Sequence, residues 1–193
     1  MARAKPLTGL DPNASTEQNA RCIARTRLDE MYCWAAHVDN PYEVRGLHNL
    51  RIAAKRLRYT LEVFEDVLPR ACRSIAGELS HIQDELGALH DGDVIIALLR
   101  LCLGGVDAGV AFEQSLQKAG KQKVNGKLLV QPALVADVLN PHSAPTAEQR
   151  FGLEQLLHKR LQMREESYRA FRQHWYQLQA RDFRRELLDS LNN

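Results

Sequence analysis

Leu47, Leu50, Ala54, Leu57, Leu61 and Phe64 recur at alternating spacings of three and four residues, which gathers them into one apolar stripe on a helix. Similar periodicity fills the other long segments between glycine, proline and Asn/Asp punctuation. No stretch shows the sustained apolar/polar alternation, flanked by turn residues, of a half-buried strand. The pattern predicts an all-α protein. A first helix is expected from a Ser15/Thr16 cap, with Glu17 in its first turn, to about His37, ending before Asp39-Asn40-Pro41. Pro41 suits the first turn of a second helix that reaches about Leu68. A third helix is expected over Ala71 to His90 and a fourth over Asp91 to Leu103, closed by Gly104-Gly105. Connections this short favour antiparallel neighbours, hence up-and-down helical bundles.

The second half is less regular. A weak helical pattern covers Ala108 to Ala119, and a loop-like stretch with Lys121, Lys123 and Lys127 follows. A short helix is expected after Pro132. A long final helix begins near Thr146, and Gln179 to Arg181 breaks it before a short tail helix. The expected organisation is one domain over 1–193: a flexible start to about residue 14, a first bundle half over 15–104, a loop-rich connection over 119–145, and the C-terminal helix with its tail over 146–193.

Charge changes this picture, because it is segregated. His48, Arg51, Lys55 and Arg58 are themselves spaced by three and four, so they form a second stripe beside the apolar one, while Arg56 falls on another face. Between Arg45 and Arg58 there are five Lys/Arg and no carboxylate. A solvated helix normally intersperses both signs. Such a stripe suits a polyanion, since arginine offers a fork of donors to phosphate oxygens, lysine adds a mobile charge, and a bound anion would favour cationic His48. The spacing equally allows long stems lying on the bundle surface with their charges paired to another helix. Ser74 to Leu99 could supply the partners, with Glu78, Asp84, Glu85, Asp91 and Asp93 and no Lys or Arg. Some of these carboxylates are expected to orient the basic side chains.

In the final helix, Leu153, Leu157, Leu161, Tyr168, Phe171, Trp175 and Leu178 share a face with Arg160 and Arg164. Inward arginines must meet carboxylates or line a wet, anion-binding groove, because an unpaired buried charge is costly. Internal pairing to Asp84 or Asp91 would serve as well.

The chain has 193 residues, 45% hydrophobic and 26% charged, with a formal net charge of +2. That describes one ordinary soluble domain and excludes disordered, collagen-like and disulfide-scaffold classes. Cys22, Cys33, Cys72 and Cys102 form no CxxC and lie in apolar-periodic stretches, so they are expected to be reduced core residues. Arg3 and Lys5 precede no apolar leader core. The longest apolar run, Val94 to Leu103, is too short for a membrane span and contains Arg100. A cytoplasmic protein without a membrane partner is expected.

Two separated runs carry a family resemblance: Leu47-His48-Asn49-Leu50-Arg51-Ile52-Ala53-Ala54-Lys55-Arg56-Leu57-Arg58-Tyr59 and Ile82-Gln83-Asp84-Glu85-Leu86-Gly87-Ala88-Leu89-His90-Asp91-Gly92-Asp93-Val94. Together they resemble the CHAD family, the conserved histidine α-helical domain. The closing helix is similar through Gly152-Leu153-Glu154, Arg164, Tyr168, Phe171 and Trp175. The resemblance covers Leu28 to Val94 well and Gly152 to Leu188 loosely. It implies two antiparallel bundles with a basic pore or groove that binds inorganic polyphosphate, no cofactor and no catalysis. The family's basic positions fall on His48, Arg51, Lys55, Arg56 and Arg58, with Tyr59 and Asp91 as further motif positions. Arg160 and Arg164 join them by inward spacing, and Asp84 and Tyr168 are supporting candidates. Lys118 to Pro145 departs from the family pattern, with scattered lysines in place of a second His-x-x-Arg helix. A partly open groove or a homodimer that completes the pore would accommodate that abbreviated half. Binding could place the protein at polyphosphate granules.

Two other readings compete. His90-Asp91 is the dipeptide of HD-type metal-dependent phosphohydrolases, but His48, the upstream ligand such a site would need, belongs to a cationic stripe that repels a divalent ion. Glu78-Leu79-Ser80-His81 is the single Glu-x-x-His, where a carboxylate-bridged di-metal bundle needs two. No metal site is therefore expected. A nucleic-acid-binding helical module, or one that binds another protein, is the main alternative. A nucleic-acid reader would display its basic face outward with base-contacting Asn or Gln, whereas this stripe abuts the core seam.

Overall fold

A computed structural model describes residues 4–104, 123–124, 127–128 and 145–192. The helices are α1 (Thr16–Tyr32), α2 (Val44–Val63), α3 (Ala71–Cys102), α4 (Ala147–Ala180) and α5 (Phe183–Ser190), with a 3-10 turn at Ala35–His37. The all-α expectation holds apart from a two-residue antiparallel ladder, β1 (Lys123–Val124) with β2 (Lys127–Leu128). The helices expected over Ala108 to Ala119 and after Pro132 lie outside the described residues. Among the described residues, no helix is long and apolar enough to cross a membrane.

Local chemistry sets the helix ends. Ser15 Oγ accepts from the Gln18 N–H at 3.1 Å and the Ser15 N–H donates to Gln18 Oε1 at 3.2 Å, a reciprocal cap that starts α1. Thr146 and Gln149 do the same for α4. The second helix starts later than expected, at Val44. Asn40 Oδ1 takes the Tyr42 N–H at 3.0 Å and Asn40 O takes the Glu43 N–H at 3.1 Å, so Pro41 sits in a tight turn instead of a helical one. It also ends earlier, at Val63, with turn hydrogen bonds leading to Leu68 and Pro69. The two helices expected over Ala71 to Leu103 are a single one. Gly92 is tolerated inside it, and a Cβ there would lie only 3.6–3.7 Å from the Arg164 stem. The last long helix ends at Ala180, inside the Gln179 to Arg181 stretch expected to break it, and Asp182 beyond it takes a left-handed conformation with φ of 56°.

The chain divides into two compact units, 1–90 with 165–193, and 91–164. In the first, the predicted stripe of α2 is the core seam: Leu47, Leu50, Ala54, Leu57 and Leu61 are buried, and Phe64 packs against them. Leu28 and Met31 of α1, Ile75, Leu79, Ile82, Leu86 and Leu89 of α3, and Phe171, Trp175, Leu178, Phe183 and Leu187 of α4 and α5 complete it. In the second unit, Leu153 and Leu157 are half-buried but Leu161 is exposed, so the inward face expected for α4 is buried only over Tyr168 to Leu178. Cys72 is buried and Cys22 and Cys102 partly so. Cys33 is exposed at the C-cap of α1 and is no core residue; all four are free thiols.

Candidate functional site: the basic edge of the second helix

Burial of the leucine stripe fixes the rotation of α2, and the neighbouring stripe comes to rest at the rim of the core, where His48, Arg51, Lys55 and Arg58 are all half-buried. Two of them meet α3. The His48 ring lies against the His90 ring with centroids 4.6 Å apart and planes tilted by 41°. The Arg51 guanidinium crosses Gly87, where a Cβ would sit 3.6 Å from Nε and 3.9 Å from Nη2. Moving from His48 to Arg51 on α2 thus corresponds to moving from His90 back to Gly87 on α3, an antiparallel pairing in which each helix contributes residues three apart.

Further along, Tyr59 is 46% exposed and takes two cations on its ring, Lys55 Nζ at 5.3 Å and the Arg58 guanidinium at 4.8 Å from the centroid. Arg58 also pairs with Glu62 at 3.3 Å. Arg51 and Lys55 pair with no carboxylate among the described residues. Among the described residues, Nε of Arg51 and of Arg58, and Nδ1 of His48 and of His90, are shielded from solvent and have no hydrogen-bond partner.

Arg56 is not brought to this edge. It turns to the opposite flank of α2 and bonds Glu30, a carboxylate only 3% exposed that Arg27 also holds at 2.6 Å. The acidic residues of α3 do not orient the basic stripe either. Glu78 pairs with Arg181 at 3.1 Å and faces His174 at 3.5 Å, and Glu85 bonds His174 at 2.8 Å. The reason is helical phase. Glu78 and Glu85 are seven residues apart and share a face, whereas Gly87 is nine residues beyond Glu78, half a revolution away at about 100° per residue. Asp84 and Asp91 are exposed.

In the second unit Arg160 is half-buried, and Arg164 meets Asp93 at 2.6 Å, with the two side chains 10% and 15% exposed. The carboxylate that answers the inward arginine is therefore Asp93, not Asp84 or Asp91. Tyr168 is a structural residue of the first unit, buried with its hydroxyl donating to Val38 O at 2.8 Å.

Electrostatics single out His48. Its pKa is held below the ordinary imidazole value, first by burial and then by the neighbouring His90 and Arg51. The ring opens onto a cleft of about 210 Å³ lined by Val44, Arg45, His48, Asn49 and His90. His90, Gly87 and Arg45 were not among the basic positions expected from the sequence. A signal existed in the matched three-residue spacings of His48/Arg51 and Gly87/His90, but it is readable only once α2 and α3 are known to pair. Among the described residues, no three His, Cys, Asp or Glu side chains come together as a metal site would need.

Neither a curated protein nor a solved structure matches the chain. A family model described as the CHAD domain matches residues 2–100, which is 99 of 193 residues and includes all of α2 and the Gly87 and His90 positions of α3. With the helical architecture and both motif runs inside that match, the chain belongs to the CHAD family.

Proposed function

We propose that the basic edge of α2 binds inorganic polyphosphate, as a binding module that carries out no catalysis, with His48, Arg51, Lys55 and Arg58 as the contacts. Membership of the CHAD family supports the ligand class. The observation that carries the reading is that this edge keeps its charge. Arg27, Arg56, Arg172, Arg181 and Arg184 of the first unit rest on carboxylates, while among the described residues Arg51 and Lys55 have none and four shielded ring or guanidinium nitrogens along the edge and the facing His90 lack partners. Like charges held this close repel, and a chain with a charge on every phosphate relieves them. Arg56 is left out because Glu30 holds it, and Arg164 because Asp93 does.

Capture is electrostatic. Hydrogen bonds to charged groups contribute about 1.5–3 kcal/mol each, so a few simultaneous contacts hold a chain after its ordering cost. An unbranched phosphate chain has no bases to accommodate and lies close to a half-buried edge, where nucleotides are bulky. A module of this kind would carry the protein to polyphosphate granules.

The test is a calorimetric titration of long-chain polyphosphate at two salt concentrations, with an RNA oligomer of equal charge as competitor. Binding is expected to weaken with salt, with a logarithmic slope of about −0.7 per neutralised phosphate, and to resist the RNA. Equal competition by RNA would move the assignment to a nucleic-acid module, and no binding by folded protein would overturn it.

A further inference from the structure

We infer that the cleft at the start of α2, between Arg45, His48 and Asn49 and the facing His90, is a subsite for a terminal phosphate group, either the end of a polyphosphate chain or a free short phosphate. This rests on the polyphosphate reading of the same edge and deepens it by giving the track a polarity.

The stripe runs from Arg58 to His48, and the helix that carries it begins at Val44. A chain lying along the edge therefore meets the cleft at its end. The 210 Å³ space is lined by Val44 and by Arg45, His48, Asn49 and His90. Each ring of the His48–His90 pair lines the cleft and has its Nδ1 shielded and without a partner among the described residues. A proton on Nε2 makes each ring a donor to an anion. Arg45 is exposed at the mouth and supplies a full cation.

The backbone adds to this. The first turn of α2 contains no acidic residue and the Glu43 side chain does not cap it, so the N–H groups and positive pole of a 20-residue helix lie beside the cleft. Glu43 is the acidic group next to it in sequence, and its carboxylate leans towards His37 at 3.8 Å.

Phosphate chemistry then distinguishes an end from a middle. An internal phosphate has one ionisable oxygen, whereas a terminal one ionises a second time with a pKa of about 6. A site lined by two imidazoles and a fixed cation at a helix start favours the more highly charged group, and the stripe of Arg51, Lys55 and Arg58 serves the singly charged interior.

The experiment compares linear tripolyphosphate with cyclic tri- and tetrametaphosphate, which have no ends and bracket the linear compound in charge near pH 6. Affinity is read by calorimetry, and the His48 and His90 ring resonances by NMR. The linear compound is expected to bind at least about tenfold more tightly than either ring and to shift both histidines to saturation. In Arg45→Gln with His90→Asn, with helical content checked by circular dichroism, that preference is expected to disappear. If inorganic phosphate moves the same resonances as strongly as tripolyphosphate, the subsite takes free phosphate; if it leaves them still, the subsite takes chain ends. Equal affinity for linear and cyclic forms with unmoved histidines, in a protein that still binds long-chain polyphosphate, would overturn the subsite and leave the proposed function standing. Long-chain polyphosphate and small phosphates both failing to bind would overturn the two together.

Discussion

Two arginine-rich regions of the first unit are built from the same residue types and are used differently. Along α4 and α5, Arg172 takes Asp39 at 2.9 Å, Arg181 takes Glu78 at 3.1 Å and Arg184 takes Asp29 at 2.7 Å, while Tyr176 donates to both oxygens of Asp39. Along α2, Arg51 crosses Gly87 without a carboxylate, and Lys55 and Arg58 share the face of Tyr59. The first region settles its charges within the fold, as surface ion pairs of small individual worth. The second leaves Arg51 and Lys55 open at a half-buried rim, with Arg58 alone paired, to Glu62. The comparison teaches that a count of arginines says little about binding. What matters is which of them the carboxylates reach, and a 100° step along a helix decides that.

The contrast is sharpest within α2, where Arg56 is answered and Arg51 is not. Glu30→Ala would leave Arg27 and Arg56 around an empty, buried carboxylate position. It is expected to cost about 3 kcal/mol of stability, measured by urea unfolding, while polyphosphate affinity at a temperature where the variant is folded stays near that of the parent. A large loss of affinity instead would place Arg56 in the ligand track.

Arg51→Ala combined with Lys55→Ala removes two cations that no carboxylate of the described residues pairs. Affinity for long-chain polyphosphate is expected to fall by roughly a hundredfold, two contacts at the lower end of the charge-assisted range, with helical content unchanged by circular dichroism. Retained affinity in the folded double variant would refute the site.

A pH titration gives a smaller effect with a definite sign. Burial, then His90 and Arg51, depress the His48 pKa in the free protein, and a bound anion favours the imidazolium, so binding takes up a proton. Affinity is expected to rise severalfold as the pH falls from about 8 to about 6, across the ordinary histidine value of about 6.5. His48→Asn should flatten that rise. Ligand-free stability moves the other way. The folded state holds the His48 proton less readily than the unfolded chain, so its contribution to stability is intact above about pH 6.5 and declines as the pH falls through the depressed value.

The smallest effect is expected at Asp39→Ala. It removes the partner of Arg172 and Tyr176 at an exposed corner, and neither the midpoint of urea unfolding nor polyphosphate affinity should move measurably. A clear loss of affinity there would show that the two arginine regions are not functionally separate.

Much of the fold was legible because it is local. The Leu47 to Leu61 stripe is buried as its spacing predicts, Ser15 and Thr146 cap the helices they precede, and the break before the tail helix falls beside Asp182. The misplaced boundaries have local causes that periodicity does not report: an Asn40 side chain that traps a turn around Pro41, and a helix that continues through Gly92 beside Arg164. The candidate site was legible as a list and not as a constellation. His48, Arg51, Lys55 and Arg58 stood out by spacing and sign, whereas some acidic residues of α3 were expected to meet them, and Glu78 and Glu85 instead meet His174 and Arg181.

The sequence by itself therefore determined the helices, the seam that α2 buries and the absence of carboxylates between Arg45 and Arg58, because each follows from residue spacing along one chain segment. Only the tertiary structure decided that Glu30 claims Arg56, that Asp93 claims Arg164, and that Gly87 and His90 stand opposite Arg51 and His48. Those pairings depend on the rotation of one helix against another, which packing of the apolar stripes sets, and a charge remains available to a ligand only where that rotation brings it no counter-charge.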